Sequence, residues 1–246
     1  MKIKTKAKCP KCEKMYAAAQ AGAHLLACTL KSDIPSPSIT EGYLIRISWS
    51  EQPGMYWIFA TIPKNASLGL LDVFLRSIWL ECCGHLSEFT IGSRRYMSHS
   101  ESGNPSQSMK NQIGQLLSPG STCQYVYDMG SSTDLEIQVV AKIDACQQKK
   151  VMILMQNEPP ALSCESCKKA ASVICSQCGD TTCSPCSKKH ACVVDEGDDY
   201  MLMALVNSPR AGVCGYEGPW YVQTFSVDHL WTTSIQKRAT NHNRSQ

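Results

Sequence analysis

The sequence predicts an α+β fold: an antiparallel or mixed sheet with helices packed on it, flanked by small cysteine-rich modules. Three observations predict it. The chain has 246 residues, enough for one sizeable core plus small modules. Its middle, residues 42–157, alternates β-branched and aromatic runs with runs of helical period. Its 15 cysteines are uneven, because ten of them crowd into the two segments 9–28 and 164–192.

The central elements follow in order. "YLIRISWS" (43–50) and "MYWIFATI" (55–62) are β-branched and aromatic and flank "EQPG", so they form a hairpin. Ser67 caps a helix in which Leu68, Leu71, Phe74, Leu75, Ile78 and Trp79 recur at helical spacing. "SEFTIGSRRYM" gives two short strands around Gly92 and Ser93. "SMKNQIGQLLSPG" gives a short helix closed by Pro119 and Gly120. "TCQYVYDM" and "LEIQVVAKID" are two more strands, so the order is β-β-α-β-β-α-β-β. "VMILM" (151–155) is a buried strand and too short to span a membrane.

The first cysteine segment reads Cys9-x2-Cys12-x11-His24-x3-Cys28. A Cys-x2-Cys knuckle followed by a His-x3-Cys pair is zinc-finger spacing, with cysteine in place of the second histidine. His24 and Cys28 stand at i and i+4, on one face of the helix "AAAQAGAHLLAC". That helix has no Arg, Lys or Asn, and Gln20 is its one candidate base reader. As a sequence-reading finger it is poorly equipped, so contact with protein or simple capping is the stronger expectation.

The second segment supplies Cys164, Cys167, Cys175, Cys178, Cys183, Cys186, His190 and Cys192. Eight ligands suffice for two tetrahedral zinc sites, giving about three Zn²⁺ per chain with the finger. Sequential pairing would join Cys164, Cys167, Cys175 and Cys178. A cross-brace would join Cys164 and Cys167 to Cys183 and Cys186, and Cys175 and Cys178 to His190 and Cys192. The x7, x2, x4, x2 spacing closely resembles a B-box and is near that of a MYND finger; the B-box resemblance implies the cross-brace. The His190-x-Cys192 pair is tight, so Cys214 is an alternative eighth ligand. Sites closed by four protein ligands leave no position for water and are structural. A segment this poor in large apolar residues takes its folding energy from the metal.

The formal net charge is +3 with thiols counted neutral. Ten metal-bound thiolates and three Zn²⁺ would bring it to about −1, so net charge is no argument for a nucleic-acid partner. Locally, Lys2, Lys4, Lys6, Lys8, Lys11 and Lys14 make the N-terminus basic, and Lys237, Arg238 and Arg244 do the same for the tail. The N-terminus lacks an apolar signal core, and no window approaches a membrane span. The expectation is a cytoplasmic protein with reduced thiols.

Residues 42–145 resemble the plasmid pRiA4b ORF-three-like domain. The resemblance rests on "YLIRISW", "MYWIFATIP", "SLGLLDVF", "GHLSEFTIGSRRY" and "GSTCQYVYDMGSSTDLEIQVV". Archaeal-type members look similar beyond it too, through "NEPP", the cysteine module and "LVNSPRAGVCGYEG". The resemblance implies an α+β fold and an association with mobile elements. His85 matches the pattern, and Asp128 and Gly130 keep its turn, but Thr133 and Leu135 stand where the family has Trp and His.

The expected layout is therefore a finger (1–30), a linker (31–41), the α+β domain (42–157), a double-zinc module with a cover segment "NSPRAGVCGY" (158–218) and a polar tail (219–246). Trp231 marks one packed contact in that tail. No nucleophile elbow, phosphate loop, dinucleotide fingerprint or His-Glu-x-x-His pattern is present. The leading expectation is a non-catalytic zinc-binding adaptor with a protein partner. A nucleic-acid binder using the finger and basic ends is the second, and an enzyme with a site near His85 and Asp128 is the third. Arg210 is a candidate ligand contact.

Overall fold

The computed structural model describes residues 3–30, 39–99, 107–147, 149–219, 222–224 and 232–234. Lys2, most of the expected linker, Trp231, Lys237, Arg238 and Arg244 lie outside the described residues.

Along the chain, β1 (Lys6–Lys8) and β2 (Met15–Ala17) pair antiparallel and lead into α1 (Ala18–Cys28). The next strand, β3 (Ile39–Trp49), starts inside the expected linker and pairs with β4 (Trp57–Pro63) as the predicted hairpin. Then come α2 (Leu68–Leu75), β5 (Ser87–Ile91), β6 (Arg94–Met97), α3 (Ile113–Leu116), β7 (Thr122–Tyr127), β8 (Thr133–Gln147) and β9 (Met152–Gln156). The seven strands β3–β9 form one antiparallel sheet in the order β6-β5-β7-β8-β3-β4-β9. Of the two sheet types expected, the molecule uses the antiparallel one.

Both faces of this sheet are covered. Tyr43, Ile45 and Ile47 of β3 and Ile58, Ala60 and Ile62 of β4 face a core built with Leu68, Leu71 and Leu75 of α2. Leu44, Trp57 and Phe59 face the opposite side, where Ala18, Ala21 and Leu25 of α1 pack on them. Covering on both sides explains why all seven residues of β4 are buried and why "WIFATIP" shows no polar alternation. Burying each of Leu44, Trp57, Phe59 and Leu25 contributes about 1.5–3 kcal/mol, so the finger is a lid on the sheet as well as a ligand set. Gly22 lets α1 approach, since a Cβ there would meet the ring of Phe59 at 3.0 Å.

Ser67 caps α2 as expected, its hydroxyl accepting from the Leu70 N–H at 3.1 Å. The helix does not continue regularly to Trp79. After Leu75 it widens into a π-helical turn, Arg76–Leu80, closed by the Glu81 N–H on the Arg76 carbonyl at 2.8 Å. Ile78, Trp79 and Leu80 are still buried, and the wider turn delivers the chain into the loop 81–86. Single π turns recur at functional sites.

The second cysteine segment forms its own three-stranded sheet. Its strands are β10 (Val173–Cys175), β11 (Thr181–Thr182) and β12 (Leu202–Ala204), in the order β11-β10-β12. Two short helices, α4 (Ser184–Ser187) and α5 (Ala191–Glu196), lie between β11 and β12. Asn157 ties the segment to the main sheet. Its Oδ1 accepts from the Trp57 backbone N–H, and its Nδ2 donates to Asn207 Oδ1, both at 2.9 Å.

Candidate metal centres

Cys9, Cys12, His24 and Cys28 come together, with their ligand atoms within 4.8 Å of one another. The knuckle is the turn between β1 and β2. The Cys9 N–H donates to Lys14 O and the Glu13 N–H to Cys9 O, both at 2.9 Å, and Glu13 takes φ 62° to complete the turn. Helical spacing places His24 and Cys28 on one face of α1, and His24 Nε2 lies 3.4 Å from Cys12 Sγ. Tyr16 stacks on the His24 ring with centroids 3.9 Å apart, fixing its orientation.

In the second segment the ligand atoms group as Cys164, Cys167, Cys183 and Cys186 in one set and Cys175, Cys178, His190 and Cys192 in the other, again within 4.8 Å. The grouping is the cross-brace. Sequential pairing is not what the fold builds, because β10 separates the first two knuckles while β11 pairs back alongside it. Each Cys-x2-Cys turn closes on the carbonyl of its first cysteine: Lys168 N–H to Cys164 O at 2.9 Å, Gly179 N–H to Cys175 O at 2.9 Å, and Cys186 and Ser187 N–H to Cys183 O at 3.0 and 2.9 Å. The tight His190-x-Cys192 pair works because His190 is the residue before α5 and Cys192 lies in its first turn. Cys192, not Cys214, completes that set.

The electrostatics fit a cation. Backbone N–H donors from Cys167 and Cys183 hold the Cys164 thiol down to about 6. Burial opposes ionisation of Cys175, but the backbone N–H groups of Cys178 and Gln177 outweigh it and bring it to about 7. Cys186 is pushed up to about 12 by its hydrogen bonds with Cys183 and Cys167 and by burial. Burial and its neighbours Cys175 and Cys178 push Cys192 up to about 11. Four thiols in the first set and three in the second, so close, cannot all ionise against each other; a bound divalent ion would remove the conflict and take all of them as ligands. None of the cysteines is in a disulfide.

Ligand counting by spacing gives three sites, but the fold assembles a fourth set. Cys82, Cys83 and His85, from the loop after the π turn, meet Cys214 from the C-terminal segment. The fourth set also lies within 4.8 Å, so four Cys/His clusters of this chain could hold metal ions. Ligand spacing places Cys82 and Cys83 in no site and offers Cys214 only as an alternative ligand of the double-zinc module. The available signal was the compact Cys-Cys-x-His run; its partner Cys214 stands 129 residues beyond His85.

Arg210 and Asp128 lie beside this set. Arg210 is 0 % exposed and donates to Asp128 Oδ2 at 2.7 Å, Ser131 O at 2.9 Å and Thr133 Oγ1 at 3.1 Å. Burial works against ionisation of Asp128, yet Arg210 and the backbone N–H groups of Gly130 and Ser131 hold its carboxyl at about 2. Asp128 also shapes the turn, with φ 66° and Oδ1 accepting from the Gly130 N–H at 2.9 Å. Tyr127 lies between two guanidinium groups, Arg76 and Arg210, each 4.8 Å from its ring centre. His85 Nε2 is 3.5 Å from Asp128 Oδ2, while Tyr96 is buried in the core opposite Phe89.

The expected cover segment is therefore corrected. "NSPRAGVCGY" anchors on the central sheet, not only on the cysteine module. Ser208 Oγ donates to Trp79 O at 2.7 Å and Tyr216 OH to Ile78 O at 3.4 Å, alongside the Arg210–Asp128 pair. Contact with the module persists at Gly212, whose added Cβ would meet Ile174 at 3.0 Å.

No family model matches the chain, and no curated protein matches it either. A protein of unknown function from Methanosarcina mazei Go1 has a similar crystal structure, with a TM-score of 0.40 and 13 % sequence identity over 52 % of this chain and 75 % of that one. Among the described residues, no helix is long and apolar enough to cross a membrane.

Proposed function

We propose that this chain is a non-catalytic, zinc-stabilised scaffold that presents a surface to a protein partner. The observation that carries the proposal is the closure of the three sets read from spacing: each offers four protein ligands and no open position for a reacting water. Where such a set binds zinc, the ion supplies folding energy, and function moves to the surface the metal shapes. Kinship with the pRiA4b ORF-three-like domain, and with it a mobile-element setting, belongs to the same proposal.

The surface of the double-zinc module favours a protein. On and beside α5, Val194 is 65 % and Tyr200 66 % exposed, beside Asp195, Glu196, Asp198 and Asp199. Two exposed apolar side chains among carboxylates suit a partner segment with an apolar anchor flanked by Lys or Arg. The finger helix suits base readout poorly: its exposed residues are Ala19, Gln20, Ala23 and Ala27, and its buried face is spent on the sheet.

The test is affinity capture with the intact protein, comparing wild type with Val194→Asp/Tyr200→Ala. Both positions are exposed, so the variant keeps its fold. A partner retained by wild type and lost by the variant supports the reading. Equal capture by both contradicts the assigned surface, and retention of the protein on duplex DNA that falls steeply with salt turns the reading toward nucleic acid.

A further inference from the structure

We propose that Cys82, Cys83, His85 and Cys214 form a fourth metal site, for a soft divalent cation of the zinc class, which staples the C-terminal segment to the central sheet. It adds to the three sites above and uses none of the residues of the proposed partner surface.

The four ligand atoms lie within 4.8 Å of one another, and four of their six separations have the lengths a tetrahedral site needs. Cys83 Sγ lies 3.0 Å from His85 Nε2 and 3.6 Å from Cys214 Sγ, His85 Nε2 lies 3.3 Å from Cys214 Sγ, and Cys82 Sγ lies 3.8 Å from Cys83 Sγ. Around an ion with bonds of about 2.3 Å to sulfur and about 2.0 Å to nitrogen, tetrahedral edges run about 3.8 Å between sulfurs and about 3.5 Å from sulfur to nitrogen. The three sites read from spacing show the same edges: 3.6 Å for Cys167–Cys183, 3.3 Å for Cys178–His190 and 3.4 Å for Cys12–His24. A disulfide needs sulfurs about 2.05 Å apart, and no pair in the set approaches that. Cysteine and imidazole ligands select zinc over the hard ions calcium and magnesium, which take oxygen.

Independent features hold the set in place. Cys214 adopts φ 50°, a left-handed conformation that non-glycine residues rarely take, and its thiol lies among the other three ligands. The loop is braced from behind. Arg76 donates to the His85 carbonyl at 2.7 Å, and Glu81 accepts from the Gly84 N–H at 2.6 Å. Arg210 donates to Cys82 Sγ at 3.5 Å, a hydrogen bond from a cation onto a prospective thiolate ligand. His85 Nε2 also lies 3.5 Å from Asp128 Oδ2, whose nearer partner is Arg210 at 2.7 Å.

The consequence is mechanical. Cys214 lies between Arg210 and Tyr216, both buried on the central domain, and the metal adds a third fastening to that stretch. Cys83 and Cys214 are exposed, so this ion is open to chelators.

Native mass spectrometry of the intact protein, purified under reducing conditions with zinc, tests this. Four zinc ions in wild type and three in both Cys214→Ser and His85→Gln are expected. Three in wild type, unchanged in both variants, overturns the fourth site and leaves the proposed function standing. No zinc in wild type overturns both. A Cys83–Cys214 disulfide in the reduced preparation also overturns the site. Should Cys214→Ser fail to fold, wild type still decides: limited proteolysis with a mild chelator should cut residues 206–216 faster at the stage when the first of four ions leaves. Unchanged cleavage at that stage contradicts the staple.

Discussion

Arg210 keeps a full positive charge with none of its surface in water, and it is tolerated there because Asp128, Ser131 and Thr133 accept its hydrogen bonds. Removing one partner strands the other charge. Asp128→Asn or Arg210→Met should each destabilise the protein by about 3–5 kcal/mol. The double variant should lose less than the sum, as read from denaturant midpoints. A second residue-scale prediction concerns Gly42. A Cβ there would collide with the Ile62 carbonyl and the Cys146 thiol, so Gly42→Ala should cost about 1–3 kcal/mol on the same assay. At this scale the candidate metal ligands of the three spaced clusters were legible, because Cys-x2-Cys and His-x3-Cys are local patterns. The Arg210–Asp128 pair was not. Both residues could be named from the sequence, but only the fold brings them together across 82 positions.

The order of central elements was readable from hydrophobic period and turn residues, and the hairpin β3–β4, the Ser67 cap and the strand at 152–156 all formed. Which strands neighbour which was not readable, since β8, besides its local turn to β7, joins β3 through long-range pairing that no local period encodes. The π turn after Leu75 was also invisible, because Ile78 and Trp79 satisfy a helical pattern equally well there. For the cysteine module, the cross-brace makes a prediction at its own scale. Cys164→Ser should leave Cys167, Cys183 and Cys186 open to alkylation and keep Cys175, Cys178 and Cys192 protected. Labelling of Cys175 and Cys178 in their place would restore sequential pairing. The grouping rests on strand pairing around β10, which spacing suggested only through the B-box resemblance.

For the whole molecule, the layout is less modular than composition suggested. The finger packs Ala18, Ala21 and Leu25 onto Leu44, Trp57 and Phe59, and the segment after the cysteine module returns to the π turn and the β7–β8 turn. Deleting residues 1–30 should therefore expose a large apolar face and raise binding of a hydrophobic dye several-fold; unchanged dye binding would show a separable finger. The sequence marks where the candidate metal ligands sit in this architecture, but it does not show which faces the finished modules cover, because that depends on tertiary contacts between distant segments. The central claim is that the metal sites are closed by protein and therefore build structure. X-ray absorption at the zinc edge of the loaded protein tests it most directly. The prediction is four ligands per ion, sulfur at about 2.3 Å and imidazole nitrogen at about 2.0–2.1 Å, with no water oxygen. An oxygen ligand from solvent at a substantial fraction of the ions, or no bound zinc, would contradict it.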